Sequence, residues 1–289
     1  MAETGVVTAP AASAPIGHGR GARPDPGRVL VLRIAAIVIV LACWEALARS
    51  GLLYRDVVPS LLAIARAMWR LLTLADVDWH VDLGFAGLSW AADVRIPAFY
   101  RDLAVTAGEV ALGLAIGGVS GLVAGMVLGG SRVLGKAFEP YLHYLGPTPK
   151  IIFFPVMIMW FGVGPSSKIA MGAISCFFPI ALSAASGMRG IADILVRVGR
   201  SFRASTWQLA AKVYLPAMRE PVVNGLRLGL GVAVIGTLLA ETKLSNQGIG
   251  FLIQQAFTLF DMPRMYAMLI VLFVLATLAN ALIGRLGRR

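Results

Sequence analysis

Six apolar stretches, each close to the length of a membrane-spanning helix, follow one another along the sequence. Such a helix needs about 20 mostly apolar residues. No charge lies between Lys168 and Arg189 or between Arg264 and Arg285, and residues 29–48, 103–131 and 221–240 contain only one or two charges each. Residues 150–168 form the sixth stretch, which residues 138–146 extend. The pattern predicts an all-α membrane protein with six transmembrane helices.

Glycine and proline predict how two of these helices pack. The second span places glycine at every fourth residue from Gly113 to Gly129. This spacing lets another helix approach closely, and we favour a partner helix within the chain over a dimer seam. The third span opens with Gly146-Pro147-Thr148-Pro149 and contains Pro155, so we expect a kinked backbone there.

Composition supports the membrane assignment and limits what the chain can do alone. Hydrophobic residues make up 58% of the 289 residues, charged residues make up 14%, and the mean hydropathy is +0.78. These values exclude an ordinary soluble globule. The segments outside the six spans are too short to form an enzyme domain, so any energy source must lie on another chain.

The net charge of +11 is mostly an orientation signal. With the N-terminus inside, the inner segments carry 15 of the 26 basic residues and five acidic ones, whereas the outer segments carry nine basic and seven acidic residues. Basic residues concentrate on the cytoplasmic side of membrane proteins, so we predict cytoplasmic termini and no nucleic-acid partner.

This topology divides the chain into four regions. We predict a disordered cytoplasmic tail over residues 1–28, a first transmembrane helix over 29–49, an external segment over 50–102, and a core over 103–289. The core holds five transmembrane helices and an inner loop over 189–220. Within the external segment, residues 61–74 are expected to form an interfacial helix with Ser60 as its cap.

The inner loop over residues 189–220 reads as two short helices joined by a turn. The first covers residues 191–202 and places Ile194, Leu195, Val198 and Phe202 on one face. Ser205 and Gln208 have the spacing of a capping box, and Pro216 is expected to end the second helix. A helical pair of this kind on the cytosolic face predicts a docking element.

The loop resembles that of transmembrane subunits of bacterial ABC importers, which carry Glu-Ala-Ala, three residues, Gly, nine residues, Ile, one residue and Leu-Pro. Counting back from Leu215-Pro216 places Arg197-Val198-Gly199 at Glu-Ala-Ala and Arg203 at the glycine. The spacing fits, but Arg197 replaces the acid and Arg203 the glycine. We expect that Arg203 imposes a different turn geometry.

Further motifs make the chain most similar to the nitrate, sulfonate and taurine permeases of this family. The third span resembles theirs in Pro147-x-Pro149-Lys150-Ile151, Pro155, Trp160-Phe161-Gly162-x-Gly164 and Ser167-Lys168-Ile169. The end of the fifth span does so in Ala240-Glu241 and in residues 247–253. The resemblance covers the chain from about Trp44 to the C-terminus.

The resemblance implies a type I ABC importer permease of the bacterial inner membrane. It implies a homodimer that works with cytosolic ABC ATPase subunits and an external substrate-binding protein and carries a small anion. ATP and Mg²⁺ are expected on the partner ATPase, because no G-x-x-x-x-G-K-[ST] phosphate loop occurs in this chain. The residues expected to couple to the ATPase are Arg197, Val198, Gly199, Arg203, Ala204, Ser205, Trp207, Gln208, Leu215 and Pro216.

The predicted translocation path follows the third to fifth spans. Its candidate residues are Pro149, Phe153, Met157, Trp160, Ser175, Thr237 and Glu241, and for Glu241 a structural role is equally consistent with its position. An ion-coupled secondary transporter is the alternative, although inverted repeats and midplane charge pairs are not evident. A membrane-embedded enzyme is less consistent, because His18, His80 and His143 form no metal constellation.

Overall fold

The computed structural model describes residues 26–51, 57–73, 98–243 and 245–287. In these ranges the regular secondary structure is helical. The helices are α1 (Pro26–Ser50), α2 (Leu61–Leu72), α3 (Ala98–Gly130), α4 (Arg132–Leu145), α5 (Phe154–Phe161), α6 (Pro165–Arg189), α7 (Asp193–Ser201), α8 (Thr206–Leu209), α9 (Leu215–Ala217), α10 (Arg219–Lys243), α11 (Ile249–Thr258) and α12 (Met262–Gly287). A 3₁₀ turn (Lys150–Phe153) precedes α5, and a π-helical segment (Ala210–Tyr214) joins α8 to α9.

Among the described residues, five helices are long and apolar enough to cross a membrane on their own. They are α1, α3, α6, α10 and α12. The sixth predicted span is a bent pair, in which α4 and the segment Lys150–Phe161 meet at 95°. Counted as one span, this pair gives the six crossings that the sequence predicts.

The kink predicted for the third span is present, and it lies at the first of the two proline-containing segments. Pro155 was expected within the body of the span, but it stands in the first turn of α5, where a missing N–H costs no helical hydrogen bond. The break instead falls at residues 146–149. Pro147 and Pro149 supply no backbone donor, and Pro149 disfavours a helical conformation in Thr148 before it.

Helix α6 is the centre of the molecule and packs most extensively against α3 and α10. The glycine stripe of α3 faces it throughout. A Cβ atom on Gly117 would lie 2.2 Å from the Ala173 carbonyl oxygen, and one on Gly125 would lie 2.4 Å from that of Ala181. The predicted packing of the stripe within the chain is therefore confirmed.

Helices α1, α2, α11 and α12 meet near one end of the bundle. Ile64 and Leu71 of α2 pack with residues of α11 and α12, among them Ile249 and Met268. The Ser60 cap is confirmed, since its Oγ accepts a hydrogen bond from the Ala63 N–H at 3.3 Å. The position of α2 at a membrane interface stays a prediction.

Helix α1 begins at Pro26, three residues before its predicted start, and α3 begins at Ala98, within the predicted external segment. Most of the predicted tail, residues 1–25, and residues 74–97 of the external segment lie outside the described residues.

Candidate coupling loop and translocation cavity

The 189–220 loop folds as the two predicted helical segments. Helix α7 holds the first, and α8, the π-helical segment and α9 form the second. The predicted capping box is present. The Gln208 N–H donates to Ser205 Oγ at 3.3 Å, and the Ser205 N–H donates to Gln208 Oε1 at 2.9 Å. The capping box fixes where the second helical segment starts.

Arg203 adopts the left-handed conformation that glycine usually takes at the end of a helix, with φ of 53°. The Ala204 N–H donates to the Gly199 carbonyl at 3.2 Å, and the Arg203 N–H donates to the Arg200 carbonyl at 2.9 Å. These two bonds form a Schellman motif. The expectation that an arginine imposes a different turn is wrong, because Arg203 takes the glycine conformation itself.

Pro216 does not end the second helical segment, contrary to expectation. The helix continues through Pro216 to Ala217, because the preceding segment is π-helical. The Leu215 N–H reaches back five residues to the Ala210 carbonyl. Widening the helix by one residue before a proline makes room for its ring and for its missing donor.

The two helical segments leave an apolar face uncovered in this chain. Phe202 and Trp207 are 82% and 80% exposed, and Ile194, Leu195 and Val198 are also exposed. Arg197, Ser205, Gln208, Leu215 and Pro216 are exposed as well, whereas Ala204 is half-buried. Gly199 is covered, because Leu209 packs against it so closely that a Cβ atom would lie 2.6 Å from Leu209 Cδ2.

The loop is joined tightly to the bundle at its second end. Met218 is fully buried, and a Cβ atom on Gly187 of α6 would lie 2.8 Å from the Pro221 Cβ atom of α10. Helices α6 and α10 therefore touch where the loop leaves them. A force on the loop would reach both helices.

A cavity of about 510 Å³ lies between the break after α4, α6 and α10. Of the predicted pathway residues it contains Pro149 and Ser175. Its wall is mostly apolar, and His143 and Lys150 are the ionisable side chains that line it. Lys150 Nζ donates to the Leu145 carbonyl at 3.2 Å and to the Gly146 carbonyl, and it lies 5.1 Å from the centre of the Phe178 ring.

The other predicted pathway residues lie outside this cavity. Met157 is buried beside Met171 and Ala240, and Phe153 packs against the same group. Trp160 is 72% exposed. Thr237 is fully buried, with its Oγ1 2.7 Å from the position of a Cβ atom on Gly172. Glu241 belongs to a separate group.

That group, the buried polar cluster, consists of Asp102, Thr106, Glu109, Lys168 and Glu241. Lys168 Nζ lies 3.5 Å from Glu109 Oε1 and joins α6 to α3. Glu241 accepts from Thr106 Oγ1 at 2.7 Å and from the Gly250 N–H at 2.6 Å. The cluster lies at the end of α6 opposite the 189–220 loop.

The buried polar cluster also holds the segment that leads into α11. Asp102 Oδ1 accepts from the Gly248 N–H at 3.1 Å, and Lys168 Nζ donates to Ser245 Oγ at 2.6 Å. Gly248 has φ of 103°, and a Cβ atom there would lie 2.5 Å from the Glu241 carboxyl. Hydropathy alone does not predict this network. In the sequence, the available signal was that Glu109, Lys168 and Glu241 each lie near the same predicted end of their spans.

The described residues contain no group of three or more His, Cys, Asp or Glu side chains that could hold a metal ion. Cys43 is exposed on α1 and Cys176 is buried in α6, and neither forms a disulfide.

Residues 117–289 match the family model of the binding-protein-dependent transport system inner membrane component. The taurine transport system permease protein TauC of Escherichia coli is 26% identical over 91% of this chain and 89% of its own. The nitrate import permease protein NrtB of Synechococcus elongatus is 27% identical over 78% of this chain and 75% of its own.

The fold also matches a solved structure, a chain of the MetNI methionine ABC transporter in inward-facing conformations. The TM-score is 0.59 with 20% identity, and the match covers 66% of this chain and 95% of the other. The family model covers more than half of the chain and contains the cavity, the buried polar cluster's α6 and α10 residues and the 189–220 loop. The chain therefore belongs to the binding-protein-dependent transport system inner membrane components, as a permease subunit of an ABC importer rather than an enzyme.

Proposed function

We propose that this permease carries a small anionic solute, similar to a sulfonate, nitrate or taurine, along the cavity between α4, α6 and α10. One observation carries the proposal. Helices α6 and α10 form two walls of the cavity, and they are also the helices that the 189–220 loop connects. Movement of the loop would thus change the shape of the cavity directly.

Cytosolic ABC ATPase subunits supply that movement in this proposal. They bind the exposed apolar face of α7 and α8, where Phe202 and Trp207 are the largest exposed side chains. ATP and Mg²⁺ bind to the ATPase and not to this chain. An external binding protein delivers the solute, two copies of the permease form the pathway, and both termini lie in the cytoplasm.

The ionisable residues of the cavity support an anionic solute. Lys150 and His143 line its wall, and acidic side chains are not among its lining residues in the described part of the chain. A small anionic group, such as the sulfonate of taurine, would pair with a basic side chain of this wall. The apolar remainder of the wall also suits a planar heterocycle, which makes such a solute the natural competitor in a transport assay.

Reconstitution with a cognate ATPase and binding protein tests the coupling proposal. We expect ATP-dependent uptake that Trp207→Ala, or deletion of residues 204–212, lowers at least about tenfold by removing docking contacts. Trp69→Ala is the matched control, because Trp69 on α2 is similarly exposed at 71%. Uptake that follows an ion gradient without ATP would favour the secondary-transporter alternative instead.

The solute class is tested in the same system with radiolabelled taurine, nitrate and riboflavin-sized heterocycles in competition. Lys150→Met should raise the half-saturating concentration of an anionic solute and leave the basal ATPase rate unchanged, because the substitution removes charge and keeps the length of the side chain. An unchanged half-saturating concentration in Lys150→Met would contradict a role of Lys150 in binding the anion.

A further inference from the structure

A second large cleft lies beside the 189–220 loop, apart from the translocation cavity. Its volume is about 710 Å³, and its lining comes from the end of α3, the start of α4, the end of α6, and α7. Neither Phe202 nor Trp207 lines it. The cleft is therefore separate from the apolar face that we assign to the ATPase, and we name it the basic cleft.

Charge is the distinctive property of the basic cleft. Arg132, Lys136, Arg189 and Arg200 line it, against Glu139 and Asp193, which leaves an excess of two positive charges. Arg189 is paired with Glu139. The general surplus of basic residues on a cytoplasmic face accounts for their number. It does not account for their convergence from α4, α6 and α7 on one concave site.

Helix α4 adds to the positive potential because it begins in the cleft. The Ser131 side chain caps the Leu134 N–H, and the N–H groups of Arg132 and Val133 precede it in the first turn. Backbone donors at a helix start favour anions. The 14 residues of α4 carry a helix dipole, and its positive end lies in the cleft beside the arginine and lysine side chains.

The apolar part of the cleft distinguishes a lipid from a soluble anion. Leu128, Met188 and Val196 line it together with the basic residues. On α3, Val119, Val123 and Val127 are 51–64% exposed and form a strip with helical spacing. The strip runs along the span towards Gly130, which lines the cleft. An acyl chain can lie along this strip while its headgroup lies in the cleft.

We propose that the basic cleft binds the phosphate headgroup of an anionic phospholipid, such as phosphatidylglycerol, from the leaflet on the same side. Two-pronged hydrogen bonds from arginine suit the phosphodiester, and basic pockets between helices on the cytoplasmic side of membrane proteins are suited to such headgroups. The proposal rests on the cytoplasmic placement of the 189–220 loop in the proposed function.

Lipid retention by the purified permease, measured by native mass spectrometry without ATPase or solute, tests this site. Phosphatidylglycerol should be retained in preference to phosphatidylcholine. Each charge removed should weaken retention about fivefold, so Arg132→Gln with Lys136→Gln should weaken it roughly twenty-five-fold. The control removes two basic residues from the same predicted side, Arg33→Gln with Arg285→Gln, and should retain phosphatidylglycerol as the unmodified protein does.

A gain of binding provides a second readout that does not depend on folding of the double variant. Asp193→Asn removes an acidic side chain from the cleft and should strengthen phosphatidylglycerol retention about fivefold. Equal retention by all variants, or equal loss in the control, would overturn the lipid site. If inorganic phosphate displaced the lipid at millimolar concentration, the cleft would be a soluble-anion site and the proposal would be wrong. Failure of ATP-driven uptake with lipid retention intact would count against the proposed function alone.

Discussion

Arg203 shows how one residue can keep a backbone geometry that its own side chain disfavours. Its φ of 53° places it in the left-handed region, and the two Schellman hydrogen bonds hold it there. A non-glycine residue in this region carries strain of about 1–2 kcal/mol. The turn between α7 and α8 is therefore determined by the surrounding hydrogen bonds rather than by the residue at its centre.

Substitutions at Arg203 should follow the left-handed geometry. Arg203→Gly should leave stability unchanged or raise it by up to about 1 kcal/mol, because relief of strain is partly offset by greater freedom of the unfolded chain. Arg203→Val should lower stability by about 1–2 kcal/mol. Arg197→Gly, within α7, is the control and should lower it by about 1 kcal/mol. Thermal unfolding in detergent measures the stability of all three variants. A higher unfolding temperature for Arg203→Val would contradict the strain inferred at this position.

At the scale of helices, the close approach of α3 and α6 leads to a strong prediction about glycine. Gly117→Ala should destabilise the protein by about 1–3 kcal/mol, because its Cβ would meet the Ala173 carbonyl oxygen at 2.2 Å and Cys176 Sγ at 2.5 Å. Gly108→Ala on the same helix meets no atom within 4 Å and should be neutral or stabilising. Equal unfolding midpoints for the two variants would contradict the packing.

The ion pair between α3 and α6 makes a second prediction at this scale. Lys168→Met should cost about 3–5 kcal/mol, because it leaves the Glu109 carboxylate buried without a cation. Adding Glu109→Leu should restore most of the loss. For comparison, Arg49→Met breaks an ion pair with Glu45 in which the arginine is 78% exposed, and it should cost less than about 1 kcal/mol. A double variant as unstable as Lys168→Met would argue against the pair.

The same helices show what sequence patterns can and cannot predict. The glycine stripe was predictable because a period of four residues places Gly113 to Gly129 along one side of a helix. The position of the break in the third span was not, since Pro147, Pro149 and Pro155 all qualify and tertiary packing selects among them. The pairing of Lys168 with Glu109 depends on a contact between residues far apart in the sequence, which one sequence does not reveal.

At the scale of the whole molecule, α6 connects the buried polar cluster, the cavity and the 189–220 loop. Its start belongs to the buried polar cluster, its middle lines the translocation cavity through Met171 and Ser175, and its end leads into the 189–220 loop. The cluster fixes one end of α3, α6 and α10 together. A force on the loop would therefore tilt these helices about the fixed end and open or close the cavity between them.

Tilting of these helices by a cytoplasmic loop requires that the bent pair crosses the membrane. A labelling experiment can decide whether it does. If α4 and the segment Lys150–Phe161 together form one span, α2 and the 189–220 loop lie on opposite sides. If the pair enters and leaves on one side, α2 and the loop lie on the same side, because one crossing fewer separates them. The 95° bend is compatible with either path, so the two paths differ in topology and not in local geometry.

Exposed tryptophans provide the labelling positions. In a chain with Cys43→Ala and Cys176→Ala, single Trp69→Cys and Trp207→Cys variants are expressed without partner subunits, and spheroplasts are treated with a membrane-impermeant maleimide. We expect labelling at position 69 in intact spheroplasts and at position 207 only after permeabilisation, because six crossings with a cytoplasmic N-terminus place α2 outside and the loop inside. Labelling of both positions before permeabilisation would show that the pair does not span the membrane, and the cavity would then need a different access route.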